Sequence, residues 1–421
     1  MSPLKHNRMS ELPLRKNKEM TFEELELLKT PEARQLILEN AKTDPSVFAF
    51  KNRNPIVATQ LKYGQRCRLK LPSLYAVQAI VPPLAFEQCS SELAASAKEA
   101  SGKRCLDLTC GLGIDTLHFS KHFDEVIAIE QNAVLAEVVR YNLGLLSVKN
   151  VEIITESAEN YIDSYEGEPF DFIFIDPARR DDVGKKVFLP EDCSPNIVAL
   201  LPKLKKMAKR ILVKMSPMYD VDAAVRQFPD VHSVGVLSLD NECKEVILDF
   251  REQADLGNFQ NSLNLKPTIF VKIKVENQFL TVEKKDKIIE NVENTERGNF
   301  IIEPDVAFYK ARMLSSFYDV FLNNDEAFMT SNNGFFLSKN KDSEKIPARI
   351  FRILETWDYH PKKIKAQLKS LNINTLNVVQ RNFPFSTQQV RTALNVKEGG
   401  DLFLICTLVN GQKVVWLAEK C

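Results

Sequence analysis

Three short stretches hold residues whose types and spacing suit chemistry. The first is RCLDLTCGLGIDTLHF at 104–119: an apolar run ending at Asp107, a turn with Gly111 and Gly113, then a helix start. Glycine lacks a Cβ, so the backbone of such a turn can come close to a ligand. The second is EVIAIE, closing on Glu130, 23 residues beyond Asp107. A carboxylate there can accept bonds from two ribose hydroxyls; the plainer reading is a solvated acid at a strand end. The third is FDFIFIDPARR, with Asp176 and Pro177. A carboxylate at such an edge can orient an amine N–H and accept its proton, or it can merely end a strand. Pro177 stiffens the turn and removes a competing donor.

Two phosphate signatures fail. The dinucleotide turn G-x-G-x-x-G/A requires a small third residue, and that position is Thr116, which disfavours a nicotinamide oxidoreductase. The pattern G-x(4)-G-K-[ST] is absent as well. A glycine turn without either signature suits a nucleoside ligand that lacks pyrophosphate. The eight cysteines show no metal-ligand spacing, so a metal is not expected, and they read as reduced thiols of a cytoplasmic protein.

The elements that must position these residues follow from periodicity. Strand patterns fall at 104–108, 125–130, 151–155, 170–175, 210–214, 232–238 and 245–250, with helical patterns at 114–122, 132–144, 157–163 and 195–207. Five buried strands alternating with helices predict a doubly wound parallel α/β sheet. The last two, joined by a short link, predict an antiparallel edge pair. Its ligand would lie beyond the C-terminal strand ends, where strand order reverses.

Residues 20–95 read as a helical lobe, opened by a Thr21/Glu24 capping box and broken at Pro82–Pro83. Residues 251–267 read as a linker. TIFVKIKVENQFLTVEKK alternates with period two, 304–322 is helix-like, and 330–342 is polar and loop-like. The remainder, from about 347, is a second α/β unit with a Ser386/Gln389 capping box and an Asn410–Gly411 hairpin. Trp357 and Trp416 sit in strand-like runs and are assigned to the core.

At 421 residues, with 44% hydrophobic and 27% charged residues, the chain suits two to four soluble domains. No apolar run approaches the roughly 18 residues of a membrane span, and the polar start lacks a secretory h-region. With 56 basic and 56 acidic residues there is no global positive field. An RNA partner needs local clusters. Candidates are 179–186, with Arg179 and Arg180, then 203–210, and 360–369, with Lys362 and Lys363. The 203–210 cluster also reads as the solvated face of an ordinary helix. Lys214, closing the fifth strand, either approaches substrate or is a solvated strand-end lysine.

The set D107-L-T-C-G111-L-G113-I-D115-T, Glu130 and IDPARR resembles the class I S-adenosylmethionine-dependent methyltransferases. The D-x-T-x-G-L-G-x-D form is similar to a subset that methylates the exocyclic amine of guanine in RNA. FEQCSSELAA and RNFPFSTQQVR resemble a bacterial group built from four parts: an N-terminal helical region, this methyltransferase domain, a small ferredoxin-like domain and a C-terminal THUMP-like domain. The resemblance implies a seven-stranded Rossmann-like methyltransferase sheet over 86–252, a helical lobe over 1–85, and C-terminal α+β domains over 268–345 and 346–421. It implies that Asp107, Gly111 and Gly113 lie beside the methionine portion of S-adenosylmethionine, with Thr109 replacing the usual first glycine and Asp115 within the motif. Glu130 would hold the ribose, and Ala158 and Glu159 would flank the adenine. The implied partner is tRNA or rRNA.

Asp176 then becomes the candidate catalytic residue. Adenine-type amino methyltransferases place D/N-P-P and an aromatic here, whereas this chain has Ala178 and Arg179. The stacking residue is missing here or comes from elsewhere: Arg179 could stack its guanidinium or bind phosphate, and Phe188 is another candidate. The DPAR string is also similar to RNA uracil C5-methyltransferases, whose chemistry requires a nucleophilic cysteine after the fifth strand. LVKMSPM has Met215 there. The rivals are methylation of a small molecule or protein, and a degenerate RNA-binding module.

Overall fold

The computed structural model describes residues 19–178, 190–252, 266–285, 298–322, 327–340 and 346–421. The expected strands all form: β1 Gly102–Asp107, β2 Phe123–Ile129, β3 Val151–Ile154, β4 Phe170–Ile175, β5 Ala208–Met215, β6 Ser233–Leu239 and β7 Glu242–Arg251. β8 Thr268–Val275 and β9 Gln278–Glu283 follow as a hairpin. The sheet order is β3-β2-β1-β4-β5-β7-β6-β8-β9. The sheet therefore has nine strands rather than the expected seven, because β8 pairs parallel with β6 instead of starting a separate sheet.

The order reverses at β1, which pairs parallel with β2 on one side and β4 on the other. The aromatic face of β4 explains its central place. Phe170, Phe172 and Phe174 are buried, and Phe119 meets the last two edge-on at 5.2 and 5.3 Å. β6 and β7 are joined by Asp240 and Asn241, both at positive φ (54° and 59°), as a two-residue hairpin turn requires.

The chain divides into two compact units. The first comprises residues 1–219, 230–232 and 247–265; the second comprises 220–229, 233–246 and 266–421. In the first, the Thr21/Glu24 capping box forms as read. The helical run then splits at Thr30–Pro31 into Phe22–Lys29 and Pro31–Glu39, because Thr30 caps a new helix that proline opens. Helices Pro45–Asn52 and Pro55–Lys70 also begin on proline. Leu25, Leu28, Phe48, Val57 and Leu61 pack with Leu112 and Ile114, so the lobe is anchored on the glycine turn and its helix. The buried amides of Gln60 and Asn142 clamp the backbone at 79–81, which sends 82–90 past the ends of β1 and β4.

The second unit has a sheet of β10 Phe300–Pro304, β11 Phe328–Met329, β12 Phe336–Ser338, β13 Ala348–Asp358, β14 Asn377–Gln380, β15 Leu402–Val409 and β16 Gln412–Lys420. Its order is β11-β12-β10-β13-β16-β15-β14. The segment 268–345, expected to be one small domain, gives its first hairpin to the larger sheet and its later strands to this one. The stretch 330–342, read as a loop, contains β12, since Phe335 and Phe336 are buried. The helix-like run 304–322 is two short helices, Val306–Lys310 and Leu314–Phe317, and a wider turn at 318–322. The Ser386/Gln389 box, the Asn410–Gly411 turn and both buried tryptophans are as read. Among the described residues, no helix is long and apolar enough to cross a membrane and no side-chain cluster has the makings of a metal site.

Candidate active site

A cavity of about 780 Å³ opens over the ends of β1, β2 and β4, in the first unit. Its walls come from the glycine turn, from 129–135, from 156–159, from 176–178 with 194–195, from Lys214, and from 82–90 of the helical lobe. The volume lies within the range of small-molecule sites.

The glycine turn is held from beneath. Asp107 is fully buried at the end of β1, where Oδ1 accepts the Thr109 N–H at 3.0 Å and Oδ2 the Thr116 hydroxyl at 2.6 Å. Burial pushes its carboxyl up to about 7 against those two donors. Asp107 is not among the residues lining the cavity; it shapes the turn that does. Gly113 is likewise behind the wall. It sits at φ 77°, and a Cβ there would lie 2.8 Å from Val139 Cγ1. Of the two glycines only Gly111, at φ 56°, where a Cβ would come no nearer than 3.9 Å to the Thr109 carbonyl oxygen, lines the cavity. Thr116, which breaks the dinucleotide signature, has a structural duty as the partner of Asp107.

Thr109 has a specific role too. Its Oγ1 accepts the backbone N–H of Asp176 at 2.6 Å, tying the turn after β1 to the end of β4 across the point where strand order reverses. A glycine in that position would leave this N–H without its partner.

Glu130 follows β2. One carboxylate oxygen accepts the Gly111 N–H at 2.9 Å and the other the Asn132 N–H at 2.8 Å. Burial raises its pKa, opposed by both donors. Each oxygen keeps further acceptor capacity, so the carboxylate is fixed in position and still able to take a pair of hydroxyls. Ala158 and Glu159, after β3, line the same cavity.

Asp176, Pro177 and Lys214 line the same cavity. Lys214 Nζ is 2.5 Å from Asp176 Oδ2 and donates to Ser90 Oγ at 3.2 Å. Ser90 Oγ donates to Asp115 Oδ2 at 2.9 Å, and Asp115 Oδ1 lies 2.9 Å from the ammonium of Lys98, whose side chain is wholly buried. Burial works against charge on Asp115, but Lys98 and Lys214 outweigh it and hold the carboxyl below its ordinary range. The result is a continuous polar chain, Asp176–Lys214–Ser90–Asp115–Lys98, running from the rim into the interior.

Of the residues expected in the site, Thr109, Gly111, Asp115, Glu130, Ala158, Glu159, Asp176, Pro177 and Lys214 all meet at this cavity. Arg179, Arg180 and Phe188 lie outside the described residues. Lys362 and Lys363 are exposed on helix Pro361–Ser370 of the second unit and are not among the cavity's residues. The sequence reading missed Lys98 and Ser90. A lone lysine among small apolar residues, in LAASAKEA, was the available signal for Lys98.

A sheet ordered 3-2-1-4-5-7-6 over its first seven strands, with its glycine turn and fixed acid after the first two, defines the class I S-adenosylmethionine-dependent methyltransferase fold. Here that fold is joined to a C-terminal THUMP-like domain. Residues 85–188 match the family described as conserved hypothetical protein 95, and residues 348–420 match the THUMP domain-like family. The crystal structure of a putative methyltransferase from Porphyromonas gingivalis W83 superposes with a TM-score of 0.78 at 24% identity, covering 96% of this chain and all of that one, 100%. A tRNA/tmRNA (uracil-C(5))-methyltransferase of Acinetobacter baumannii is 29% identical over 170 residues, 34% of this chain and 45% of that protein. The 23S rRNA (uracil(1939)-C(5))-methyltransferase RlmD of Cronobacter sakazakii is 35% identical over 85 residues, 20% of each chain. The chain thus spans less than half the length of these curated relatives.

Proposed function

We propose that the protein is an S-adenosylmethionine-dependent methyltransferase that modifies a base nitrogen of tRNA or rRNA, with the exocyclic amine of guanine as the favoured acceptor. The observation that carries the reading is the pairing of two fixed carboxylates across one cavity. Glu130 is immobilised at the end of β2 with acceptor capacity left over, and Asp176 is held at the end of β4 by Thr109 and Lys214.

The residues fit the cofactor. Glu130 would hold the ribose hydroxyls, Gly111 gives a backbone free of Cβ beside the methionine portion, and Ala158 and Glu159 would flank the adenine. S-adenosylmethionine supplies a methyl group activated on a sulfonium. Asp176 accepts a hydrogen bond from the amine, orients its lone pair toward that methyl, and takes the proton that the nitrogen loses. Lys214 keeps the carboxylate in place, and Pro177 leaves no backbone N–H to compete with the amine.

The match to the THUMP domain-like family and the RNA-modifying names of the curated relatives favour RNA as substrate. Those relatives are named for methylation at uracil C5, and the side chains at this site favour a different acceptor. The residue closing β5 is Met215, and the cysteines lining the cavity, Cys89 and Cys110, both have thiol pKa values pushed up by burial. Among the described residues, neither thiol lining the cavity is poised as the nucleophile that C5 methylation needs.

The test is nucleoside mass spectrometry of RNA from cells lacking the gene, complemented with wild type or Asp176→Asn. One methylguanosine should disappear on deletion and return only with wild type. Loss of 5-methyluridine instead would overturn the assignment of the atom, and an unchanged RNA profile would overturn RNA as the substrate.

A further inference from the structure

The helical lobe carries a charge distribution that the cavity chemistry does not use. Between residues 45 and 86 the chain has six basic residues, Lys51, Arg53, Lys62, Arg66, Arg68 and Lys70, and no acid, where its average would place about six acids. A run of this kind in a chain of zero net charge makes a local positive field.

Three of the six are ordered into a stripe. Lys62, Arg66 and Lys70 recur every four residues on helix Pro55–Lys70, so they share one face and step along it by about 6 Å. Two aromatic rings hold them in place. Lys62 and Arg66 lie 5.5 and 5.2 Å from the centre of the Tyr63 ring, and Arg66 and Lys70 each lie 4.7 Å from that of Phe86. Tyr63 and Phe86 themselves meet edge-on at 5.5 Å. Cation–π contact and aromatic packing restrict these long side chains, which lowers the entropy lost when they engage a ligand. Leu69, 89% exposed, belongs to the same face.

The stripe ends at the cavity. Arg66 pairs with Glu87, and Lys70 Nζ donates to the Phe86 carbonyl at 2.6 Å. Glu87 and Gln88 line the rim, two residues from Ser90 of the polar chain behind Asp176. A polyanion lying along the helix would therefore be delivered to the side of the cavity where Asp176 and Lys214 stand.

We propose that Lys62, Arg66 and Lys70 form the docking stripe for the phosphate backbone of the RNA whose base enters the cavity. The inference rests on the RNA reading above and assigns the positioning contacts to the helical lobe. Contacts of this kind set register without reading sequence.

The test uses the full-length protein and fluorescein-labelled total tRNA or ribosomal RNA fragments, with binding read by anisotropy from 0.05 to 0.5 M salt. Each lost phosphate contact lowers the slope of log K against log salt by about 0.7 to 0.9. Lys62→Gln/Arg66→Gln should therefore flatten the slope by about 1.5 and, relative to binding at 1 M salt, weaken binding about 30-fold at 0.1 M salt. S-adenosylmethionine affinity, measured by calorimetry, should stay at the wild-type value and report an intact cavity. Lys103→Gln/Lys121→Gln, an equal charge change at exposed positions by the starts of β1 and β2, at the opposite strand ends from the cavity, should leave the RNA slope unaltered. An unchanged slope in the stripe variant, or the same loss in the control, overturns the proposal. A wild-type protein that binds cofactor and no RNA overturns the substrate reading itself.

Discussion

Replacing Lys214 by methionine keeps the unbranched apolar stem of the side chain and removes its ammonium. In the structure this deletes one short charge-assisted contact, to Asp176 Oδ2 at 2.5 Å, and one hydrogen bond, to Ser90 Oγ at 3.2 Å. Ser90 still donates to Asp115, so no buried hydroxyl is stranded. The Asp176 side chain is 32% exposed, and water replaces part of what it loses. A hydrogen bond to a charged group contributes about 1.5–3 kcal/mol. Solvent compensation brings the expected effect to roughly 1–2 kcal/mol of transition-state stabilisation, about 5- to 30-fold in rate. The assay is single-turnover methyl transfer to RNA, alongside calorimetry of S-adenosylmethionine binding. The rate should fall while cofactor affinity changes less than about threefold, and Lys214→Arg, which restores a donor, should recover part of the rate. A variant that transfers methyl at the wild-type rate would refute the positioning of Asp176 by Lys214. A variant that instead loses cofactor binding would assign Lys214 to the cofactor.

Thr116→Val removes the hydroxyl that donates to buried Asp107. The native carboxyl, near 7, holds its proton more tightly than the unfolded chain does, so stability falls as pH rises from about 4 through 7. Above that range the lost bond is to a charge and costs about 1.5–3 kcal/mol; below it the bond is neutral and costs about 1. The drop in Tm should be about twice as large at pH 8 as at pH 5.5, and equal drops would contradict the assignment. Gly113→Ala meets both a left-handed φ and Val139, so its cost in a urea melt should reach about 2–4 kcal/mol. Gly111→Ala carries the backbone strain alone, about 1 kcal/mol, and should show its larger effect on cofactor affinity. Lys98→Met leaves Asp115 buried without its main counter-charge and should cost about 3–5 kcal/mol in the same melt. A loss under about 1 kcal/mol would show that the pair is dispensable.

The parallel core was legible because its strands are short, apolar on both faces and separated by helical periods. β4, FDFIFI, was read to the residue. The edges were harder. Nothing in TIFVKIKV distinguishes a strand that begins a new domain from one that pairs with β6, because edge pairing depends on which ladder is left open, and that is a property of the folded sheet. The site was legible in its residue types and less so in their depth. Asp107 and Gly113 carry the motif, yet burial turns one into a brace for the turn and the other into a packing necessity. Thr109 departs from the usual glycine, and only the geometry shows its hydroxyl holding Asp176. Lys98 and Ser90 escaped because their partners, Asp115 and Lys214, are 17 and 124 residues away in sequence. A buried ion pair of that separation has no local pattern.

Transfer of tritiated methyl from S-adenosylmethionine to bulk RNA of a strain lacking the gene, with Asp176→Asn run in parallel, tests the central claim most directly. Wild type should label one RNA size class, and the variant should bind cofactor normally yet transfer at least about 100-fold more slowly, within the range for removal of a general base. Label-free RNA with cofactor bound, or equal rates from both proteins, would contradict it.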